Sequence, residues 1–158
     1  MPSIDISEVR NLFSRASEEK LAARRLEEIL SGAPQDDARL QAYKGVAEAM
    51  SARNFLNPMK KLTAFQQGKA RLEAAVAADP GNPEIRFVRF MLQQNVPGYL
   101  NYQSNLQEDY QKMMDGLSNS SFQQDLGDWL PKVVNVLLNS DYCKEEDAKL
   151  LQDALSND

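Results

Sequence analysis

Apolar residues recur along the whole chain at intervals of three and four positions, the spacing that places side chains on one face of an α-helix. Alternating runs of β-branched residues bounded by turns, which would indicate strands, are missing. The pattern therefore predicts an all-α fold of about seven to eight antiparallel helices.

Capping and turn residues predict where these helices begin and end. The run Asp79-Pro80-Gly81-Asn82-Pro83 cannot continue a helix, and its last proline suits the first position of the next one. Pro131 either kinks a helix or begins a new one capped by Asp128. The predicted helices span about 6–16, 17–30 with Ser17 as N-cap, 36–56 from Asp36 or Asp37, 60–78, 83–95, 100–117, a segment opened by a Ser121/Gln124 capping box, and 144–155. In the fourth helix, we expect Leu62, Phe65, Leu72 and Val76 to point inward.

The length and composition indicate one domain. The chain has 158 residues, of which 42% are apolar, and this is enough to bury a core without disulfides or metals. Because no low-complexity linker interrupts it, we expect a single helical domain over 1–158. Within it we distinguish an N-terminal hairpin over 1–35, a basic core over 36–96 and acidic C-terminal helices over 97–158.

Histidine is absent and Cys143 is the single cysteine. The absence of imidazole excludes histidine acid/base catalysis, Ser-His and Cys-His nucleophile pairs and the common zinc sites, although carboxylate, lysine or tyrosine chemistry stays open. We therefore expect no enzyme activity, no cofactor and no metal. Asp5 and Glu8 stand where a signal peptide needs basic residues, and no stretch reaches the roughly 18 apolar residues of a membrane span. We expect a cytoplasmic protein with no membrane partner.

Charge is unevenly distributed along the chain. Residues 39–89 hold nine Lys/Arg and four Asp/Glu, a net charge of +5, whereas residues 1–38 carry −3 and residues 90–158 carry −7. A basic middle between acidic ends indicates either a surface that faces an anion or charge complementarity inside the fold. Nucleic acid is a poor partner for the whole chain at a net charge of −5.

These charges define a candidate binding site with two interpretations. Arginines three positions apart share one helix face and can hold an anion through two hydrogen bonds. In the functional interpretation, the site binds a carboxylate or phosphate and consists of Lys44, Lys69, Arg86, Arg89, Tyr43 and Tyr102. In the structural alternative, the two arginines pair with acids of the C-terminal helices, namely Glu108, Asp109 or Asp115.

One helix and the turn after it resemble part of a known repeat. Gly68, Leu72, Ala75 and Pro80 are spaced as in the second half of a tetratricopeptide repeat, whereas Gly45 precedes Gly68 by 23 positions where that pattern needs about 12. The resemblance implies a stack of helix-turn-helix units, and an irregular helical bundle is the alternative.

A second resemblance covers about 42–102. Its landmarks Tyr43-Lys44-Gly45, Asn57-Pro58, Gly68-Lys69 and Asp79-Pro80 to Phe87 are similar to those of an uncharacterised family of small bacterial helical proteins. This resemblance implies a bacterial source and no known activity.

The sequence leaves three functions open. The first is a non-enzymatic protein-interaction module that presents a basic helical groove to an acidic segment of an unknown partner. The second is a pocket that binds a small anion or supports lysine-dependent catalysis, built from Tyr43, Lys44, Lys69, Arg86 and Tyr102. The third is a structural subunit of a larger assembly, whose expected mark is an exposed apolar patch above about 600 Å². The oligomeric state is left open.

Overall fold

The computed structural model describes residues 3–156, and within that range the chain forms helices and no strands. The predicted all-α class is confirmed. Nine α-helices are present in the described part, or eight if α7 and α8, which a single 3₁₀ turn joins, are taken as one bent helix. They are α1 (Ile6–Arg15), α2 (Lys20–Leu30), α3 (Ala38–Ser51), α4 (Pro58–Ala78), α5 (Pro83–Asn95), α6 (Leu106–Leu117), α7 (Ser120–Leu126), α8 (Leu130–Leu138) and α9 (Glu145–Ser156).

Short polar side chains fix several helix starts. The Asp37 carboxylate accepts a hydrogen bond from the Leu40 N–H at 3.0 Å. The Asn57 side chain accepts from Met59 N–H at 2.8 Å, and Asn82 caps α5 in the same way. In both of these helices a proline follows the cap, where its missing N–H has no intrahelical partner to lose. The predicted starts at Asp37 and Pro83 are therefore confirmed.

Three predicted helix starts are wrong. Ser17 lies in a turn, and α2 begins after Glu19. The sixth helix begins at Leu106 and not near residue 100, because the preceding chain forms a 3₁₀ turn that ends at Asn101 in the left-handed conformation. The seventh helix is capped by Asn119, whose side chain accepts from Ser121 N–H, so the Ser121/Gln124 capping box does not form.

The described chain divides after Pro80 into two compact units, here called the N-terminal unit and the C-terminal unit. This boundary lies inside the predicted basic core over 36–96. The expectation of a single domain stays a prediction.

In the N-terminal unit, α3 and α4 form an antiparallel hairpin with a very close crossing. Gly45 and Gly68 face each other there, and a Cβ on Gly45 would lie 2.7 Å from the Gly68 carbonyl oxygen. A Cβ on Gly68 would overlap the backbone of Ala49 and Gly45. The two backbones can approach this closely only because both positions lack a side chain.

The hairpin is anchored to the helices that precede it. The Phe13 ring of α1 meets the Tyr43 ring of α3 edge-on, with centroids 5.3 Å apart. The Arg53 guanidinium donates to the carbonyl oxygens of Ala16 and Ser17 at 2.6 and 3.1 Å, just beyond the end of α1. These contacts hold the chain between α3 and α4 in a defined position.

In the C-terminal unit, α5 is the most buried helix and packs antiparallel to α6. Pro83, at the start of α5, lies against Gly116, near the end of α6. At the other end of the pair, the side chains of Gln93 and Asn105 are joined by a hydrogen bond of 2.9 Å. The Trp129 ring packs edge-on against Phe87 with centroids 5.2 Å apart. The single tryptophan is thus part of the packing of this unit.

Candidate functional site

Arg86 and Arg89, the centre of the predicted site, are buried against α6. Arg86 Nη1 lies 2.6 Å from Glu108 Oε1 and 3.0 Å from Asp109 Oδ1. Arg89 Nε and Nη2 each lie 2.8 Å from an oxygen of the Asp109 carboxylate. The structure therefore contains the pairing with Glu108 and Asp109 that the structural alternative describes. Asp115, the third acid of that alternative, instead accepts a hydrogen bond from Gln111 on its own helix.

Burial makes this cluster a closed arrangement. The Asp109 side chain is 0% exposed, and those of Arg86 and Arg89 are 6% and 4% exposed. Arg86 holds the pKa of Glu108 below its usual value, first through the hydrogen bond and then through its charge. An external anion would have to displace Asp109 before it could bind both guanidinium groups.

The other predicted site residues are divided between the two units. Tyr43, Lys44 and Lys69 belong to the N-terminal unit, and Tyr102 belongs to the C-terminal unit with the arginines. Both tyrosines are buried, at 0% and 4% exposure, whereas both lysines are half-buried. That all six residues serve one ligand stays a prediction.

Lys44 lies in an acidic setting. It lines a depression of about 220 Å³ on the N-terminal unit together with Glu27 of α2 and Glu48 of α3. Burial raises the pKa of Glu27, and the charges of Arg24 and Arg53 oppose that shift. Carboxylates around Lys44 weaken its attraction for another anion.

A larger depression of about 740 Å³ follows α3 and α4. Arg71 crosses its wall, with Nε 2.7 Å from a Glu48 carboxylate oxygen and Nη1 2.8 Å from the Gln41 amide oxygen. Small and polar residues of both signs line it, namely Gln35, Asp36, Ala38, Gln41, Glu48, Gln67, Ala70, Arg71, Ala74, Ala75 and Ala78. Because its lining carries charges of both signs, this depression differs from the predicted basic groove.

The most exposed apolar surface lies where α3 connects to α4. Four large apolar side chains within eight residues are exposed there, namely Phe55 at 39%, Leu56 at 98%, Met59 at 72% and Leu62 at 42%. We call these four residues the hairpin tip. The prediction that Leu62 points inward is wrong, because its side chain is exposed. Gly45 faces Gly68 across the antiparallel hairpin, and this register sets Leu62 opposite the last residue of α3. Beyond that residue α3 does not continue to cover it.

The hairpin tip is a structured segment with its own caps. α3 ends at Ser51, a 3₁₀ turn covers 52–54, and Phe55 is extended. Asn57 and Pro58 then begin α4 as described above. Leu56 thus lies between the 3₁₀ turn and the Asn57 cap, with 98% of its side chain exposed.

Along the chain, the hairpin tip lies in a segment whose charges all have one sign. No acidic residue occurs between Glu48 and Glu73, a stretch that contains five Lys/Arg. Lys60 and Lys61, in the first turn of α4, are exposed and form no ion pair with any described residue. The surface therefore combines apolar side chains with cationic groups that face water.

A polar cluster in the C-terminal unit joins α6 to α9. The buried Tyr110 hydroxyl donates to an Asp147 carboxylate oxygen at 2.8 Å. Burial, followed by this hydrogen bond and the adjacent Cys143, raises the pKa of Tyr110 well above its usual value. This cluster contributes to the docking of α9.

Within residues 3–156, no group of three or more Cys, Asp or Glu side chains is arranged to hold a metal ion, and no helix is long and apolar enough to cross a membrane. No protein-family model, curated protein or solved structure matches the chain.

Proposed function

We propose that the chain is a non-enzymatic protein-interaction module that binds an acidic, amphipathic segment of a partner protein at the hairpin tip. The observation that carries this proposal is the exposure of four large apolar side chains within eight residues, led by Leu56 at 98%. Apolar side chains that are exposed singly are ordinary, but a contiguous group rimmed by polar residues marks interaction surfaces.

The physical argument begins with the apolar contribution. Removing one fully exposed leucine from water stabilises a complex by about 1.5–3 kcal/mol. Met59 adds a second largely exposed side chain, and Phe55 and Leu62 add two that are partly exposed. A partner that covers all four gains enough to offset a part of the cost of association, which is about 4–15 kcal/mol.

Lys60 and Lys61 determine which partner is preferred. Each exposed ion pair contributes only about 0.2–1 kcal/mol, but a positive partner would meet repulsion at the same place. Because 49–72 contains no acid, no carboxylate of this segment competes with a partner for the two lysines. An acidic segment with one apolar face matches both properties of the hairpin tip.

We also propose that the α3–α4 hairpin is a tetratricopeptide-like helical unit. The support is local. Gly68 lies at the close crossing, Leu72 and Ala75 are buried at 0% and 3% exposure, and the turn after Ala78 ends the helix as the repeat pattern requires.

A binding assay with two matched peptides tests the proposed function. Both are synthetic amphipathic helices with the same leucine stripe, one flanked by glutamates and the other by lysines. Fluorescence anisotropy of the labelled peptides with the full chain should show binding of the glutamate peptide only. Leu56→Ser should weaken this binding by about tenfold or more.

Leu21→Ser provides the matched control, since Leu21 is 78% exposed on α2 of the same unit. It should leave the affinity unchanged. Equal binding of both peptides, or an equal loss in both variants, would contradict the proposal.

A further inference from the structure

The charges around the remaining exposed apolar residues point to a specific partner for the hairpin tip. Among the described residues, the other large apolar side chains with high exposure are Leu21 at 78%, Tyr99 at 85% and Leu150 at 61%. Leu21 shares one face of α2 with Arg24 and Arg25, and Lys20 adjoins it. Arg25 pairs with Glu8 and Glu28, and the other two cations would repel the tip. The segment around Tyr99, from 96 to 105, carries no charge.

Leu150 differs because the charged residues three and four positions from it within its own helix are all acidic. Glu146 and Asp153 lie four positions before it and three positions after it, so the three residues share one face of α9. All three are exposed. The helix as a whole contains four acids and one lysine, and one of those acids, Asp147, is already bound to Tyr110.

We infer that this chain binds a second copy of itself, with the hairpin tip of one copy against the Glu146-Leu150-Asp153 face of α9 of the other. Leu150 covers part of the tip, and the two carboxylates approach Lys60 and Lys61. This inference rests on the proposed function, because it assigns the acidic amphipathic segment to α9 of the same chain.

The contact joins two different surfaces and is therefore heterologous. Such contacts either close into a ring or continue to add copies. The apolar part of the contact is one leucine against the four residues of the tip. It therefore buries much less area than a standard interface of about 1,600 Å². We therefore expect weak association whose average mass rises with protein concentration.

Sedimentation velocity of the full chain, from low micromolar to near-millimolar concentration, provides the test. The native chain should associate reversibly. Association should be weakened by about tenfold or more in Leu56→Ser. It should also be weakened in the double variants Lys60→Glu with Lys61→Glu and Glu146→Lys with Asp153→Lys. The matched controls Lys20→Glu and Leu21→Ser should associate like the native chain.

Mixing the two double variants makes the test specific. In each double variant alone, the tip and the α9 face carry charges of the same sign and repel each other. In the mixture, the acidic tip of one variant meets the basic α9 face of the other. The mixture should therefore recover association that neither variant shows alone. Recovery would also show that the variants are folded.

Three results would overturn the inference. The first is a native chain that stays monomeric throughout. The second is association that Leu56→Ser leaves unchanged, and the third is a mixture that does not recover. If a monomeric chain still binds the glutamate peptide through Leu56, the proposed function survives and the partner is another protein. If it instead binds vesicles of anionic phospholipid through Leu56 and ignores the peptide, both proposals fail.

Discussion

Replacing Asp109 by alanine tests whether the charge pattern of the middle of the chain is part of the fold. The Asp109 carboxylate is 0% exposed and accepts three hydrogen bonds from two guanidinium groups. Removing it leaves Arg89 buried without this partner, while Arg86 keeps Glu108, whose side chain is 57% exposed. Breaking a buried ion pair by deleting one partner costs about 3–5 kcal/mol. We expect a loss of that size in the free energy of unfolding of the C-terminal unit.

Urea unfolding measures this loss by two signals. Trp129 is the only tryptophan and packs against Phe87, so its fluorescence follows the C-terminal unit, whereas circular dichroism follows all helices. The fluorescence midpoint should fall sharply in Asp109→Ala. Asp115→Ala, an exposed change on the same helix, should stay within about 0.5 kcal/mol of the native chain.

A third variant separates charge from packing. Asp109→Leu combined with Arg86→Met and Arg89→Met removes all three buried charges at similar volume, and such replacements are often neutral or stabilising. We expect it to recover most of the lost stability. A loss below about 1 kcal/mol in Asp109→Ala would refute the reasoning, because the carboxylate would then not compensate the buried arginines.

Three further predictions concern other parts of the chain. Gly68→Ala forces a Cβ onto the backbone of α3 and should destabilise the N-terminal unit by about 1–3 kcal/mol by circular dichroism, whereas Gly81→Ala, which meets nothing within 4 Å, should not. The pKa of Glu27 is raised mainly by partial burial, so its ionised form lowers stability. Because Glu27 is largely exposed, Glu27→Gln should stabilise the chain at neutral pH by no more than about 0.5 kcal/mol, and this gain should vanish below about pH 4, where the carboxyl is protonated in both states. The pKa of Tyr110 is also raised, so its contribution to stability should be lost as the pH rises above about 10, and ultraviolet titration should show a late ionisation step that Tyr110→Phe removes. A titration in which Tyr110→Phe instead lost an early step would contradict this assignment.

The helices themselves were largely predictable because they follow local rules. The apolar period, the Asp37 cap and the proline that begins α5 act within a few residues, and all three are present in the structure. The start of α6 was missed because Asn101 adopts a left-handed conformation that the neighbouring apolar spacing does not reveal.

The candidate surface was less predictable because it depends on where helices end relative to each other. Leu62 shares a helix face with the buried Phe65, so periodicity places both inside. Only the crossing of Gly45 with Gly68 shows that α3 ends opposite Leu62.

The sequence also did not determine whether Arg86 and Arg89 face solvent or pair with acids inside the fold. Two interpretations fitted the same residues, and the choice required the position of α6 beside α5. The structure places Asp109 between the arginines, which explains the burial of two cations through one carboxylate.

Nuclear magnetic resonance of the full chain tests most directly whether the hairpin tip is the binding surface. Backbone amide chemical shifts would be recorded while the glutamate-flanked peptide is added. We predict that the largest changes fall on 53–62, around Leu56 and Lys60, and that Leu56→Ser abolishes them. Changes centred on α5 and α6, or none at all with the peptide in excess, would contradict it.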